Sequence, residues 1–209
     1  MKSAATGLLG STVIAGARAM QRGIADVIEG FVAEAITDEL RHDTAVSTHA
    51  ARGKKSVEDF SVHFRDQDVW VDVKSKNLRG SFSMPNLISI KRLWNIFQSP
   101  TESLMFLFVG YTIVDPSVGK IRIDTISCVP AEDMNPEYLQ IQNLGLGQLQ
   151  LKNNACIEEL VSQASQGELA RKLPDMAAAF HKRQMGKIQR EIDFWNLNKQ
   201  YNKQCFKPD

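Results

Sequence analysis

Hydrophobic positions recur at helical spacing near the start of the chain. Ile24, Val27, Phe31 and Ala35 fall three or four residues apart, among charged and small positions. This spacing is typical of an amphipathic helix. We predict a helix from about residue 17 to residue 42.

Two alternating apolar runs follow after a polar, turn-like region. Residues 60–64 alternate between apolar and polar side chains, residues 65–68 are polar, and residues 69–73 alternate back. Alternation on both sides of a polar turn predicts a β-hairpin.

The middle of the chain alternates between strand and helix patterns. Residues 104–114 form a continuous apolar run that predicts a central strand, and residues 120–129 and 146–151 predict two further strands. Asn86 is the predicted N-cap of a helix whose apolar face carries Leu87, Ile90, Trp94 and Phe97.

The end of the chain reads as helical. One helix is predicted over residues 157–173, and a second is predicted to begin at Pro174 and to run through Trp195. Helices around a mixed, mostly antiparallel central sheet define an α/β fold. We expect one domain over residues 1–209: a helical dimerisation element at about 17–42, a catalytic core at about 43–152 and C-terminal helices at about 155–202.

Composition is ordinary for a soluble globular protein, with 43% hydrophobic and 23% charged residues. No apolar run reaches the roughly 18 residues of a membrane span, so we expect no membrane partner. The three cysteines are odd in number and lack metal or redox spacing, which favours reduced thiols and a cytoplasmic location. Residues 2–16 loosely resemble a signal peptide, but they lack a leucine-dense centre and run directly into the helical pattern.

Basic residues are concentrated locally, although the net charge is only +1. Residues 73–101 contain no acidic residue, and a second basic cluster lies at residues 182–190. A solvated face is the plainer interpretation of each cluster, and contact with nucleic-acid phosphates is the alternative.

Three charged residues of the hairpin suggest chemistry. A turn centred on Asp66 and Gln67 would place Asp59 opposite Lys74, with Asp72 as its diagonal neighbour on the same face. Diagonal neighbours lie roughly 7–8 Å apart at Cα, which allows two carboxylates to converge on one Mg²⁺. Lys74 would then stabilise charge on a phosphate. The alternative is an exposed ion pair without catalytic use.

These residues carry a family resemblance. Glu58-Asp59 followed by Asp72-Val73-Lys74 resembles the PD-(D/E)xK nuclease signature, with Glu58 in place of the customary proline. Residues 71–77 and 84–89 are similar to the corresponding stretches of the HincII-type restriction endonucleases, relatives of EcoRV.

The resemblance implies roles by position. Asp59 and Asp72, with the Val73 backbone carbonyl, would bind one or two Mg²⁺ ions per active site, for which Mn²⁺ would substitute. Lys74 would be the catalytic lysine. Glu34 would be the accessory carboxylate, with Glu29 as its competitor.

The resemblance also implies a DNA-binding surface. Met84 would be an apolar wedge or an ordinary packed side chain, and Asn86 would contact a base or only cap its helix. Lys54, Lys76 and Arg79 would contact phosphates. The full predicted set is Lys54, Lys76, Asn77, Arg79, Ser83, Met84, Asn86, Asn143, Gln148 and Gln150.

The activity that the resemblance implies is that of a type II restriction endonuclease. It would act as a homodimer on a short palindromic site in double-stranded DNA and leave blunt ends with 5′-phosphates. A DNA methyltransferase would be expected in the host, though not as a subunit. The alternatives are a repair, homing or junction-resolving nuclease, a non-catalytic DNA-binding protein, and a secreted binding protein.

Overall fold

The computed structural model describes residues 13–14, 21–43, 45–51, 58–79, 86–115, 120–142, 146–152 and 155–205. Within these ranges the elements follow in this order: β1 (Val13–Ile14), α1 (Gln21–Leu40), β2 (Val46–Ala50), β3 (Phe60–Phe64), β4 (Gln67–Asn77), β5 (Asn86–Ser89), α2 (Ile90–Phe97), β6 (Glu102–Asp115), β7 (Lys120–Pro130), β8 (Leu139–Gln142), β9 (Gln148–Leu151), α3 (Ile157–Ser162) and α4 (Glu168–Cys205). Two short 3₁₀ turns separate β7 from β8.

A six-stranded sheet forms the centre, in the order β1-β7-β6-β4-β3-β2. The β4–β6 pair is parallel and the other neighbours are antiparallel. A second sheet has the order β5-β9-β8. The prediction of an α/β fold with a mixed, mostly antiparallel central sheet flanked by helices is confirmed.

Strand β6 is buried on both faces, which explains its continuous apolar sequence. Phe106 and Phe108 point to a core that includes α2, α3, the second sheet and the first turns of α4. Leu107 and Val109 point to the opposite core, which α1 covers. The central sheet is therefore packed on both sides.

Helix α1 covers one face of the sheet through Ile24, Ile28 and Val32, which recur every four residues. This stripe differs in phase from the predicted one, since Val27 is 37% exposed. Opposite the helix lie Val71 and Val73, which form the apolar face of β4.

The β3–β4 hairpin forms as predicted, but its register differs by two residues. Phe64 pairs with Gln67, so the turn is Arg65-Asp66, and Arg65 adopts a φ of 55°. Phe60 therefore pairs with Val71, and the register continues to place Asp59 beside Asp72. The prediction that Asp59 lies opposite Lys74 was wrong, because the tighter turn shortens the loop.

The prediction that Asn86 caps a helix was also wrong. Asn86 begins β5, and the helix begins at Ile90 with Ser89 as its N-cap, whose hydroxyl accepts from the Arg92 N–H. The buried face of α2 is Ile90, Leu93 and Ile96. Pairing of Asn86 with Gln150 extends the second sheet, and this tertiary contact outweighs the capping preference of asparagine.

Besides β5, three short strands of the described residues were not predicted. β1 pairs with β7 and β2 with β3 at the two edges of the central sheet, and β8 pairs with β9. Each has five residues or fewer, so its alternation is too brief to predict a strand.

The C-terminal helices divide differently from the prediction. Helix α3 ends at Ser162, and Gly167, at φ +63°, precedes the start of α4. Pro174 lies inside α4 instead of at its start. None of the described helices is long and apolar enough to cross a membrane.

Candidate active site

The candidate site lies where β3 ends and β4 continues. Strand β3 begins at Phe60, opposite Val71, whereas β4 runs on to Asn77. Beyond Val71, β4 remains paired with β6 on one side. Its other side is left open by β3, and Asp59 lies directly at this opening.

Asp59 closes part of this edge with its side chain. Its Oδ2 accepts a hydrogen bond from the backbone N–H of Val73 at 2.7 Å, and its own N–H donates to the carbonyl of Val71 at 2.9 Å. The Asp59 carboxylate thus takes the place of the carbonyl that a neighbouring strand would supply, and it accepts from the N–H of Val73, a fully buried residue. Its position beside β4 is fixed by this pair of bonds.

Asp72 and Lys74 form a close ion pair on the same strand. Lys74 Nζ donates to Asp72 Oδ1 at 2.6 Å, and their side chains are 18% and 5% exposed, respectively. The second oxygen, Asp72 Oδ2, is buried and accepts no hydrogen bond from the described residues. A buried carboxylate oxygen without a donor is costly unless a cation or another donor reaches it.

The carboxyl groups here are hard to ionise in the protein alone. Burial raises the pKa of Asp72 to about 7, although the Lys74 ammonium opposes the shift. Burial and the neighbouring Asp59 raise the pKa of Glu29 to about 7. Burial also raises the pKa of Asp59, against the hydrogen bond from Val73. Carboxyl groups whose ionised form is destabilised mainly by burial, as here, are found at cation and catalytic sites.

Glu29 is the α1 carboxylate that joins the site. It interacts electrostatically with Asp59, Lys74 and Asp72. Glu34 follows Glu29 by five residues, which corresponds to a rotation of about 140° around the helix axis. Glu34 therefore lies on the other flank of the buried α1 stripe, and its side chain is exposed. Glu29 thus shares the electrostatic surroundings of Asp59 and Asp72, whereas Glu34 lies exposed away from them, and the role of accessory carboxylate stays a prediction for either residue.

The donor set fits a hard divalent cation. Among the described residues, no group of three or more His, Cys, Asp or Glu side chains is already gathered as a metal cluster. Instead, the Lys74 ammonium balances the charge at Asp72 Oδ1. A bound cation would give Asp72 Oδ2, which has no donor among the described residues, an electrostatic partner. It would also lower the raised pKa of Asp72 by stabilising the ionised form.

A face of carboxamides lies on the second sheet. Gln148 and Gln150 alternate with buried leucines, and Asn86 pairs with Gln150. Gln140 and Gln142, on β8, pair with Gln150 and Gln148 respectively, and Gln140 Nε2 donates to Gln150 Oε1 at 3.4 Å. Gln140 was not among the predicted residues, although the alternation of residues 139–142 could have revealed it.

The predicted phosphate contacts occupy different environments. Burial lowers the pKa of Lys76, while Glu158 and Cys156 oppose the shift. The Asn77 side chain accepts from the N–H of the exposed Arg79. The predicted contacts Lys54, Ser83, Met84 and Asn143 lie outside the described residues.

Comparisons with known proteins add a likeness to solved structures. No protein-family model matches this sequence, and no curated protein matches it either. Among solved structures, the chain is similar to one described as NlaIV restriction endonuclease, with a TM-score of 0.46 and 14% identity over 87% of this chain and 86% of that chain. A likeness at this level assigns neither a family nor an activity.

Proposed function

We propose that this protein is a magnesium-dependent endonuclease that hydrolyses phosphodiester bonds of double-stranded DNA. The observation that carries the proposal is the meeting of Asp59, Asp72 and Lys74 at the open edge of β4, where Asp72 Oδ2 is buried and has no donor among the described residues. Two carboxylates and an ammonium at one edge suit the stabilisation of a phosphate as its charge builds up.

Asp59 and Asp72 would hold Mg²⁺, with Mn²⁺ as a substitute, and the Val73 carbonyl would be an additional ligand. When bound, such an ion lowers the pKa of a coordinated water and neutralises charge on phosphorus. Glu29 would bind the ion directly or through water. Titration of the protein with metal would give the number of ions bound per active site.

Lys74 has two tasks in this proposal. In the protein alone, its ammonium balances Asp72. With a cation beside Asp72, the ammonium would turn to a phosphate oxygen or to the attacking water, because its charge would no longer be needed at the carboxylate.

The finer proposal is a type II restriction endonuclease. It rests on the resemblance of residues 71–77 and 84–89 to the HincII-type enzymes. Such an enzyme would act in the cytoplasm as a homodimer on a short palindrome, leave blunt ends with 5′-phosphates, and require a separate host methyltransferase.

The carboxamide face would read bases. Carboxamides pair with adenine in the major groove through one donor and one acceptor. Asn86, Gln148 and Gln150 are our proposed contacts, and Gln140 joins them because it donates to Gln150. Lys76, Asn77 and Arg79 leave the catalytic strand on a path towards DNA phosphates.

The test is cleavage of plasmid and phage DNA with Mg²⁺, for the wild type, for Lys74→Ala and for Lys120→Ala. Loss of the Lys74 ammonium should slow cleavage by at least about a hundredfold, because it would stabilise the transition state. Lys120 is an exposed lysine at the start of β7, so Lys120→Ala is the matched control and should cut at the wild-type rate.

Discrete fragments from linear DNA would support site-specific restriction. Cleavage confined to branched substrates would indicate a junction-resolving nuclease instead. DNA binding without cleavage in either Mg²⁺ or Mn²⁺ would refute the enzymatic proposal.

A further inference from the structure

The C-terminal helix continues far beyond the folded body. Phe180 of α4 packs into the core at 3% exposure. From residue 181 to residue 197 the side chains are exposed or half-exposed, and the helix runs on to Cys205. We call residues 181–205 the arm, and at 1.5 Å per residue it is about 37 Å long.

The arm carries an apolar stripe with coiled-coil spacing. Met185, Ile188, Ile192 and Trp195 are separated by three, four and three residues and are 70%, 58%, 47% and 60% exposed. This is the a/d spacing with which two helices bury a common seam. Large apolar side chains at this density are unusual on a surface that faces only water.

The charges of the arm leave the stripe accessible to a second helix. Basic residues Arg183 and Arg190 lie on the far side of the helix from the stripe, about half a turn around, and Lys187 and Lys182 lie about a third and a little over a quarter of a turn from it. The flanking positions are occupied mainly by the uncharged Gln184, Gln189 and Asn196. Over residues 184–196, a copy of the same helix can therefore approach without bringing like-charged basic residues together.

We propose that the arm pairs with the arm of a second copy of this chain, so that the stripes form the seam of a two-helix coiled coil. Helices gain most of their stability from packing an apolar face, and each stripe offers its partner the same face. Burying both stripes would remove on the order of 1,000 Å² from water, close to the lower limit for a specific interface.

An anionic membrane fits the arm less well. A helix that lies on such a surface places basic side chains beside its apolar face, where they reach the headgroups. In the arm, Arg183, Arg190 and Lys187 are turned away from the stripe by a third of a turn or more, and the acidic Glu191 flanks it, so an anionic surface would meet the apolar residues beside a carboxylate.

Helix α1, the dimerisation element predicted from the sequence, has less apolar surface to offer. Its buried stripe of Ile24, Ile28 and Val32 is already used against its own sheet. The arm has no such contact with the described body, so it is the better candidate for the dimer interface.

The test is the molecular mass in solution, by analytical ultracentrifugation over a range of protein concentrations. The wild type should sediment at about twice its chain mass of 23.4 kDa. Ile188→Glu with Ile192→Glu should weaken the dimer by at least about a hundredfold, since two carboxylates per chain would be buried in an apolar seam.

A matched control uses the other side of the same helix. Phe194→Glu with Leu197→Glu adds the same charge at apolar positions that are 55% and 60% exposed but lie off the stripe, and it should remain dimeric. Circular dichroism of both variants should match the wild type in the melting of the body.

A wild type that is monomeric at tens of micromolar, or a stripe variant that dimerises as well as the wild type, would overturn the proposal. In the second case, α1 or another surface holds the dimer. Binding of a monomeric wild type to phosphatidylglycerol vesicles would favour the membrane instead. These results are independent of cleavage, so the nuclease proposal and the arm can fail separately.

Discussion

Asp72 accepts a hydrogen bond from the Lys74 ammonium through Oδ1, and no donor of the described residues reaches its Oδ2. It is 3% exposed, and its neighbour across the parallel pair is Phe106. Burial of the side chain beside an apolar neighbour makes the charged carboxylate poorly solvated. This is the condition under which a bound cation stabilises a site most.

Glu29 and Glu34 provide a residue-scale prediction. Glu29→Gln should lower Mg²⁺-dependent cleavage by about ten- to hundredfold, the range measured when a group that supports a metal site is lost. Glu34→Gln, on the opposite flank of α1, should cleave at the wild-type rate. A larger loss in Glu34→Gln than in Glu29→Gln, at equal protein stability, would restore the original choice.

Sequence reasoning picks out three charged residues of the candidate site, but it does not decide between Glu34 and Glu29 as a fourth. Strand alternation and motif spacing are enough to select Asp59, Asp72 and Lys74. The error in the predicted hairpin register does not change this selection, because a shift of two residues keeps the side chains on the same face of the sheet. Glu29 depends on the rotational phase of α1. That phase is set by which residues pack on the sheet, and Ile24, Val27, Ile28, Phe31 and Val32 allow more than one choice.

At the scale of the elements, Gly147 lies where the second sheet, α2 and α4 pack together. Its φ is +109°, and its carbonyl accepts from the N–H of Ile90 at 3.2 Å. A Cβ at this position would lie 2.9 Å from Ile90 Cδ1 and 3.1 Å from Phe180 Cε1. Glycine is therefore required both by the backbone conformation and by the packing.

Gly147→Ala should destabilise the protein by about 1–3 kcal/mol, because it combines backbone strain with crowding. Gly30→Ala is the matched control: it lies in α1 with nothing within 4 Å of the added Cβ, so it should be neutral or stabilise by up to about 1 kcal/mol. Urea unfolding of both variants measures the difference. Equal stabilities would contradict the role given to Gly147.

Buried strands could be predicted from the sequence more closely than half-exposed ones. The long apolar run of β6 and the alternation of β3 are unambiguous, and both strands were predicted closely. Strand β2 and strand β8 are short and half-exposed, so their pairing depends on neighbours distant in sequence. Asn86 was misplaced for the same reason, since its partner Gln150 belongs to another part of the chain.

The stability of the whole molecule should depend on pH through the buried carboxyls. Asp72 and Glu29 have folded-state pKa values of about 7, above their ordinary values of 3.8 and 4.5. A carboxyl group whose pKa is higher in the folded than in the unfolded state contributes its full stabilisation at pH values below the unfolded-state pKa. This contribution is lost as the pH rises through the folded-state pKa. The loss therefore falls between about pH 4 and pH 7.

Without metal, the Tm of the wild type should fall by several degrees relative to that of Asp72→Asn as pH rises through this window, because about 1 kcal/mol shifts Tm by about 2–4 °C in a chain of this size. Mg²⁺ should raise the wild-type Tm more at pH 8 than at pH 5, since it binds the ionised form, and should raise that of Asp72→Asn less. Calorimetry at several pH values measures both. A constant difference between the two proteins across the window would show that Asp72 ionises without penalty.

The parallel pairing of β4 with β6 also has a consequence for the order of events during synthesis. Asp72 pairs with Phe106 and Lys74 with Phe108, so about thirty residues, including β5 and α2, are made between the two sides of the ladder. The ribosome adds about 5–20 residues per second, and parallel partners cannot meet until the crossover is complete. The carboxylates therefore acquire their low-polarity surroundings only after β6 has emerged, and a nascent chain that ends before β6 has no buried Asp72.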